Sequence, residues 1–316
     1  MVELIGAPMD LCGARQGSRL GPGAARLAGL SAALESLGLS FADLGDVPLL
    51  PEKTASEGLR NFEPAIATYL ELKKQVSEST KRGTPLVLGG DHSNSIGSVA
   101  GAMEAFGDDL AVLWVDAHAD VNTPATSPSG NLHGMPMAAL LGMSSGLHGL
   151  KDLQWQDILD VVVPKSRLKP ERAAWFGLRD VDGGERDHYL KLKGEYTATM
   201  YDIDRHGIVT CLQRLDGWLR NGGARKLWIS FDVDALDPIL APGTGTAVRG
   251  GLTYREMHLM GEFLNELLET PDCPYSLAGL DVVEINPLFD TNNETARTAV
   301  EWIGSLFGKT ILGRPR

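Results

Sequence analysis

An α/β fold around a mainly parallel sheet is what this sequence predicts, and three observations carry it. Short apolar runs recur without alternation between apolar and polar residues, the pattern of strands buried on both faces. Segments with helical spacing separate them. The most polar clusters follow directly on the runs, and open parallel sheets bind ligands beyond the carboxyl ends of their strands.

In chain order the runs are VELIGAP at 2–8, TPLVLGGDH at 84–92, LAVLWVDAHAD at 110–120, AAWFGLRDVD at 173–182, KLWISFDVDAL at 226–236 and SLAGLDVVEINP at 276–287. Between the first two, Phe62, Ile66, Tyr69 and Leu70 recur at helical spacing, with Gly83 as a stop. Later, Thr253 with Glu256 forms a capping box ahead of Met257, Met260, Leu264 and Leu267. Thr291 with Glu294 is expected to do the same ahead of Val300, Ile303 and Phe307. No internal repeat or composition break divides the chain, so residues 1–316 are expected to form one domain.

Composition bounds the function. With 43% apolar and 22% charged residues, the chain has the make-up of an ordinary globular protein. A net charge of -12 and a pI near 5.0 argue against nucleic acid or an anionic membrane surface as partner. A small or cationic ligand fits better. Cys12, Cys211 and Cys273 are odd in number and in no CxxC pattern, which excludes a disulfide framework or a thiolate zinc site and points to a reducing, cytoplasmic setting. The start, MVELIGAPMD, shows no secretory signal. Residues 121–150 carry no Asp, Glu, Lys or Arg, but their Pro, Gly, Ser, Asn and His content is wrong for a membrane span.

Three runs end in side chains that bind metals. His92 closes the second, Asp116, His118 and Asp120 the third, and Asp232 and Asp234 the fifth. In extended backbone, residues i, i+2 and i+4 point to one side, so each cluster is expected to converge. An isolated Asp-x-Asp is more often a turn or a helix cap, and a lone His after Gly-Gly is more often structural. The D-x-H-x-D cluster is different, because its ionisable groups at the end of an apolar strand need a positive charge among them. Two divalent cations would balance the four carboxylates. Oxygen ligands with a little imidazole favour manganese over zinc, with cobalt or nickel as substitutes. Two such ions, roughly 3.5–4 Å apart, could hold a bridging water as hydroxide, and that implies hydrolysis.

GGDHS at 89–93, DAHAD at 116–120, SGNLHG at 129–134, SFDVDALDP at 230–238 followed by APGTGT, and DVVEINP at 281–287 together resemble the ureohydrolase superfamily, and within it the arginases. The resemblance runs in order from the IGAP near the start to the SLFG of the last helix. It implies a three-layer α/β/α sandwich, two Mn2+ per subunit, and a homotrimer or homohexamer that hydrolyses L-arginine to L-ornithine and urea. Carried over by position, His92, Asp116, Asp120 and Asp232 would hold one ion, and His118, Asp116, Asp232 and Asp234 the other. Asp116 and Asp232 would bridge.

The same resemblance accounts for the charge-free stretch. Asn122, Ser127 and Ser129 would hold the amino-acid end of the substrate, with His133 near the scissile group as general acid/base or proton shuttle. Neutral hydrogen-bonding groups suit a zwitterion beside a charged metal site, since a Lys would oppose the guanidinium and an Asp would compete for the ions. Asp182 and Glu185 would meet the α-amino group, although an exposed surface acid is the rival reading for Glu185. Glu284 would receive the guanidinium, Thr246 would lie beside the site, and Asp120 would pass a proton to the leaving amine. Arg255, in TYRE, lies in a segment that contributes to subunit contacts in arginases. Met135 and Ala235 depart from residues common in the family and are expected to alter the pocket wall. The rivals are a ureohydrolase for agmatine or guanidinobutyrate, a single-zinc deacetylase of related fold, and a silent arginine-binding subunit.

Overall fold

All six apolar runs are strands in the computed structural model, which describes residues 1–52 and 57–312. The strands are β1 (Val2–Ala7), β2 (Phe41–Asp46), β3 (Thr84–Gly89), β4 (Leu110–Val115), β5 (Ala173–Leu178), β6 (Tyr196–Thr199), β7 (Lys226–Asp232) and β8 (Ser276–Val283). They form one eight-stranded sheet, all parallel, in the order β2-β1-β3-β8-β7-β4-β5-β6. Sequence patterning misses β2 and β6. Both are edge strands, only partly buried, so neither needs the continuous apolar run that marks a strand covered on both faces.

Helices cover both faces. On one lie α1 (Gly21–Leu27) and α2 (Leu30–Ser36); on the other lie α3 (Phe62–Ser79), α4 (Ser95–Phe106), α5 (Pro136–Leu140) and α6 (Leu150–Asp157). The short α7 (Gly183–Tyr189) follows β5, and α8 (Met200–His206), α9 (Ile208–Gly222), α10 (Tyr254–Leu268) and α11 (Glu294–Leu306) complete the first face. The result is the three-layer sandwich that parallel strands require, because each of their faces must be covered. Among the described residues no helix is long and apolar enough to cross a membrane.

The capping box at Thr253 and Glu256 is present, with each side chain accepting from the other's backbone N–H. The one expected at Thr291 and Glu294 is not. Asn292 and Asn293 take left-handed φ values of 53° and 62°, so α11 starts with Asn293 at its N-cap. Asp290 serves the helix start instead, accepting from Thr291 N and Thr295 N. An Asn pair that tolerates the left-handed conformation turns the chain before the Thr hydroxyl can reach the helix.

Sheet order places the functional end. β3 and β4 are consecutive in the chain, yet β8 and β7 lie between them. Leu88, Val282, Phe231, Val115 and Phe176 pair in register across the five strands from β3 to β5, and all five are in the core. Polar residues begin one position beyond this row, with Asp116 and Asp232. Binding crevices form where strand order breaks in this way.

Candidate metal centre and substrate cleft

His92 opens a short turn directly after β3, where Gly90 lets the chain pass another backbone: a Cβ there would lie 1.9 Å from the Met9 carbonyl oxygen. Its ring stacks on Trp114 of β4 at 4.0 Å between centroids, 2° from parallel. So held, its Nδ1 lies 3.0 Å from Asp116 Oδ2, 3.0 Å from Asp232 Oδ2 and 3.2 Å from Asp120 Oδ2. The other imidazole, His118 Nδ1, lies 3.2 Å from both Asp116 Oδ1 and Asp234 Oδ2. Asp116 thus turns one oxygen to each histidine.

Convergence is achieved, but not by extended backbone. β4 ends at Val115, and Asp116–Asp120 follow in a turn in which Asp120 has φ 53°. Asp234 lies in a short 3-10 turn after β7, its N–H donating to Asp232 Oδ1 at 2.8 Å. The residues that period-two spacing groups do converge, but through turns and not along a strand. The turns bring carboxylates from two strands around the imidazoles, which straight strands would hold apart.

The electrostatics describe a site that needs cations. Burial drives the Asp232 and Asp120 carboxyls well above the usual range, with neighbouring carboxylates adding to the effect. Asp234 is raised for the same reasons. Burial opposes charge on Asp116 too, yet the His118 and His92 imidazoles beside it hold it well below that range. Burial also disfavours charge on His92 and His118, but the surrounding carboxylates raise both. His92 Nδ1 is fully buried and has no well-directed hydrogen-bond partner, although three carboxylates crowd it. A ring nitrogen aimed at carboxylates that do not accept from it is the arrangement around a metal ion. Two groups with donor atoms close enough to share an ion result: His92, Asp116 and Asp232, and Asp116, His118 and Asp234. The donor set fits a hard-to-borderline divalent ion.

Above these groups opens a cleft of about 210 Å³, lined by His92, His118, Asp120, Asp232 and the substrate-type residues Asn122, Ser127, Ser129, His133, Asp182, Glu185 and Thr246. Asn122 is held at both ends, accepting from Thr126 Oγ1 at 2.9 Å and donating to Asp182 Oδ2 at 2.8 Å. Asp182 also caps α7 by accepting from Glu185 N. Ser127 and Ser129 accept from Gly130 N and Asn131 N, and their hydroxyls lie 3.4 Å from each other, so one proton of the pair is engaged between them and the other can donate into the cleft. Thr246 Oγ1 donates to Asp234 Oδ2 at 2.8 Å.

Glu185 is not a surface acid. It is 4% exposed, and burial, reinforced by the Asp182 and Asp116 charges, pushes its carboxyl up to about 7. Glu284 stands behind the cleft wall: its Oε1 accepts from His92 N and lies 3.0 Å from His133 Nδ1. Burial lowers His133, but the Glu284 carboxylate more than offsets it and raises the imidazole. Glu284 itself has φ 64°, an uncommon conformation for a Glu. Met135 and Ala235 are fully buried and outside the lining, so the expected change to the pocket wall does not occur.

Sequence patterning did not single out Trp114, Ser230, Asp281 or Arg179. Trp114 donates to Asp116 Oδ2 at 3.0 Å as well as stacking on His92. Arg179 ties loops together, donating to the carbonyls of Asp234, Ala235, Leu236 and Val248. A signal existed for two of them, since Trp114 of β4 lies two residues before Asp116, just past the strand end, and Ser230 lies two before Asp232 on β7.

A sequence profile described as the arginase family matches residues 1–308. An arginase of Staphylococcus aureus (strain MSSA476) is 41% identical over 321 aligned positions, covering 98% of each chain. The crystal structure of arginase from Bacillus caldovelox superposes with a TM-score of 0.87 at 39% identity, over 98% of this chain and 99% of that one. Entamoeba histolytica arginase, solved in complex with L-ornithine, gives a TM-score of 0.82 at 26% identity, over 98% of each chain. Similarity of this extent, in both sequence and fold, leaves one assignment: the chain belongs to the arginase family.

Proposed function

We propose that this protein is a manganese-dependent hydrolase, with the whole chain as one catalytic domain, that converts L-arginine and water to L-ornithine and urea. One observation carries the reading: two imidazole–carboxylate groups share Asp116 beneath a cleft that also presents the neutral Asn122, Ser127 and Ser129 and the acids Asp182 and Glu185. In this reading His92, Asp116, Asp120 and Asp232 hold one Mn2+, and His118, Asp116, Asp232 and Asp234 hold the second. Such an ion pair, when bound, supplies the Lewis acidity that makes a water nucleophilic at neutral pH.

The chain's own residues do the rest. Glu284 opposes the substrate guanidinium, and Asp182 and Glu185 oppose the α-ammonium. Asn122 and one hydroxyl of the Ser127 and Ser129 pair donate to the α-carboxylate. Water adds to the guanidinium carbon, the bond from that carbon to the chain nitrogen breaks, and urea separates from ornithine's side-chain amine. Asp120 takes the proton of the attacking water and passes it to that leaving nitrogen. His133, whose imidazole the Glu284 carboxylate raises, exchanges protons between the cleft and solvent.

We further infer a cytoplasmic homotrimer or homohexamer. The cysteines are all unpaired, and the Arg255 side chain is 59% exposed on the first turn of α10. Arg255→Ala should weaken assembly in sedimentation.

Urea release after manganese loading, measured with L-arginine, agmatine and guanidinobutyrate, tests the activity. Agmatine lacks the α-carboxylate, so two lost charge-assisted hydrogen bonds, at roughly 1.5–3 kcal/mol each, should favour arginine by about 10² or more in kcat/KM. Replacing both Asn122 and Ser129 with Ala should compress that ratio toward one, whereas Glu284→Gln should depress both substrates together. Equal wild-type efficiency on arginine and agmatine would leave only the broader ureohydrolase assignment.

A further inference from the structure

Resting on the metal reading above, we propose that Asp281 is a positioning residue for the metal centre: acting through Ser230, it sets which nitrogen of His92 keeps its proton, and so tunes one metal site of the two. Asp281 of β8 and Ser230 of β7 are register partners on neighbouring strands. Asp281 is 1% exposed, and both its oxygens are engaged by donors. Oδ1 accepts from Ser230 Oγ at 2.5 Å, and Oδ2 accepts from Ser98 Oγ at 2.5 Å and Trp228 Nε1 at 3.0 Å.

The direction of this chain of bonds is forced. Asp281 as a carboxylate only accepts, so Ser230 spends its single hydroxyl proton on Oδ1. Ser230 then has only lone pairs for its other two neighbours, His92 Nε2 at 2.9 Å and the Ser95 hydroxyl at 3.3 Å. Nε2 must be the donor. When Nδ1 gives up its proton to a cation, the imidazole therefore retains the Nε2 proton, and the free lone pair is the one already pointing among Asp116, Asp120 and Asp232. Trp114 sets the plane of the ring, but stacking cannot choose between its two nitrogens. The hydrogen-bonded relay can. His118 has no link to Asp281, so the effect is confined to the His92 group.

Asp281→Asn keeps the shape but places an amide that donates to Ser230. The hydroxyl then turns to donate to His92 Nε2, and the proton moves to Nδ1, where it competes with the ion. The test is a manganese-binding isotherm on the full-length protein, with free Mn2+ counted by its electron paramagnetic resonance signal. Wild type should bind two ions per chain. Asp281→Asn should retain one site unchanged and weaken the other by about 10–100-fold, the usual effect of losing such a supporting partner. Ser230→Ala, which removes the acceptor for Nε2, should give the same selective loss. Ser98→Ala removes a donor to the same carboxylate without redirecting Ser230, and should leave both sites at wild-type affinity. Two wild-type sites in Asp281→Asn, equal weakening of both sites, or an equal loss in Ser98→Ala would each overturn the relay. A wild-type chain that binds fewer than two ions would overturn the metal reading itself, a separate result.

Discussion

Asp116 turns one oxygen toward each imidazole and is shared by both candidate groups. Its substitution should therefore act twice. Asp116→Asn is expected to lower manganese content at both sites in elemental analysis, whereas Asp234→Asn should lower it chiefly at the His118 site. If Asp116→Asn protein still carries two ions per chain, the bridge assignment is wrong. His133 makes the contrasting case. It touches Glu284 but belongs to neither candidate group, so His133→Asn should reduce turnover by about 10²-fold or more with metal content preserved, as loss of a general acid/base does. Parallel loss of metal and activity would remove His133 from proton transfer and make it a ligand.

At the level of elements, the two late helices start by different means, and a matched pair of substitutions separates them. Thr253 Oγ1 both donates to Glu256 and accepts from its N–H, so Thr253→Ala leaves a helix start unsatisfied at a cost of about 1 kcal/mol. In a chain of this size that is a fall in melting temperature of about 2 °C. Thr291→Ala should fall within about 0.5 kcal/mol of wild type, the range of surface changes away from such features, because Asp290 holds the start of α11 instead. Thermal melts of both variants in the same buffer are the measurement, and equal shifts would mean that a box does form at Thr291 in solution. Both sites read S/T-x-x-E in sequence. Only the left-handed Asn292–Asn293 pair tells them apart, and its effect is a change of chain direction that spacing does not encode.

For the whole molecule, four carboxylates and two imidazoles are gathered at the centre of the sheet, and bound cations would relieve the repulsion among the carboxylates in a way that the unfolded chain cannot match. Chelation should lower the melting temperature and manganese should restore it, by about 2.7 kcal/mol at a free concentration 100 times the dissociation constant. Lowering the pH from 7 toward 5 should shrink that difference, since the ligands bind metal only when deprotonated and protons then compete. A melting temperature unchanged by chelation at pH 7 would deny the ions any part in stability. The sequence by itself determined the chemistry and the layering. Burial on both faces of a parallel strand demands a continuous apolar run, and the D-x-H-x-D cluster demands a counter-charge; both are local requirements that leave local signatures. Edge strands β2 and β6, the burial of Glu185, the place of Glu284 behind His133, and the Asp281–Ser230–His92 relay were decided by tertiary structure alone. Their partners come from distant parts of the chain: the Glu284 carboxylate meets the His92 backbone across 192 residues, because β8 and β7 insert between β3 and β4. A pattern along the chain can say that a carboxylate needs a partner, but only the order and register of the strands decide which one it meets.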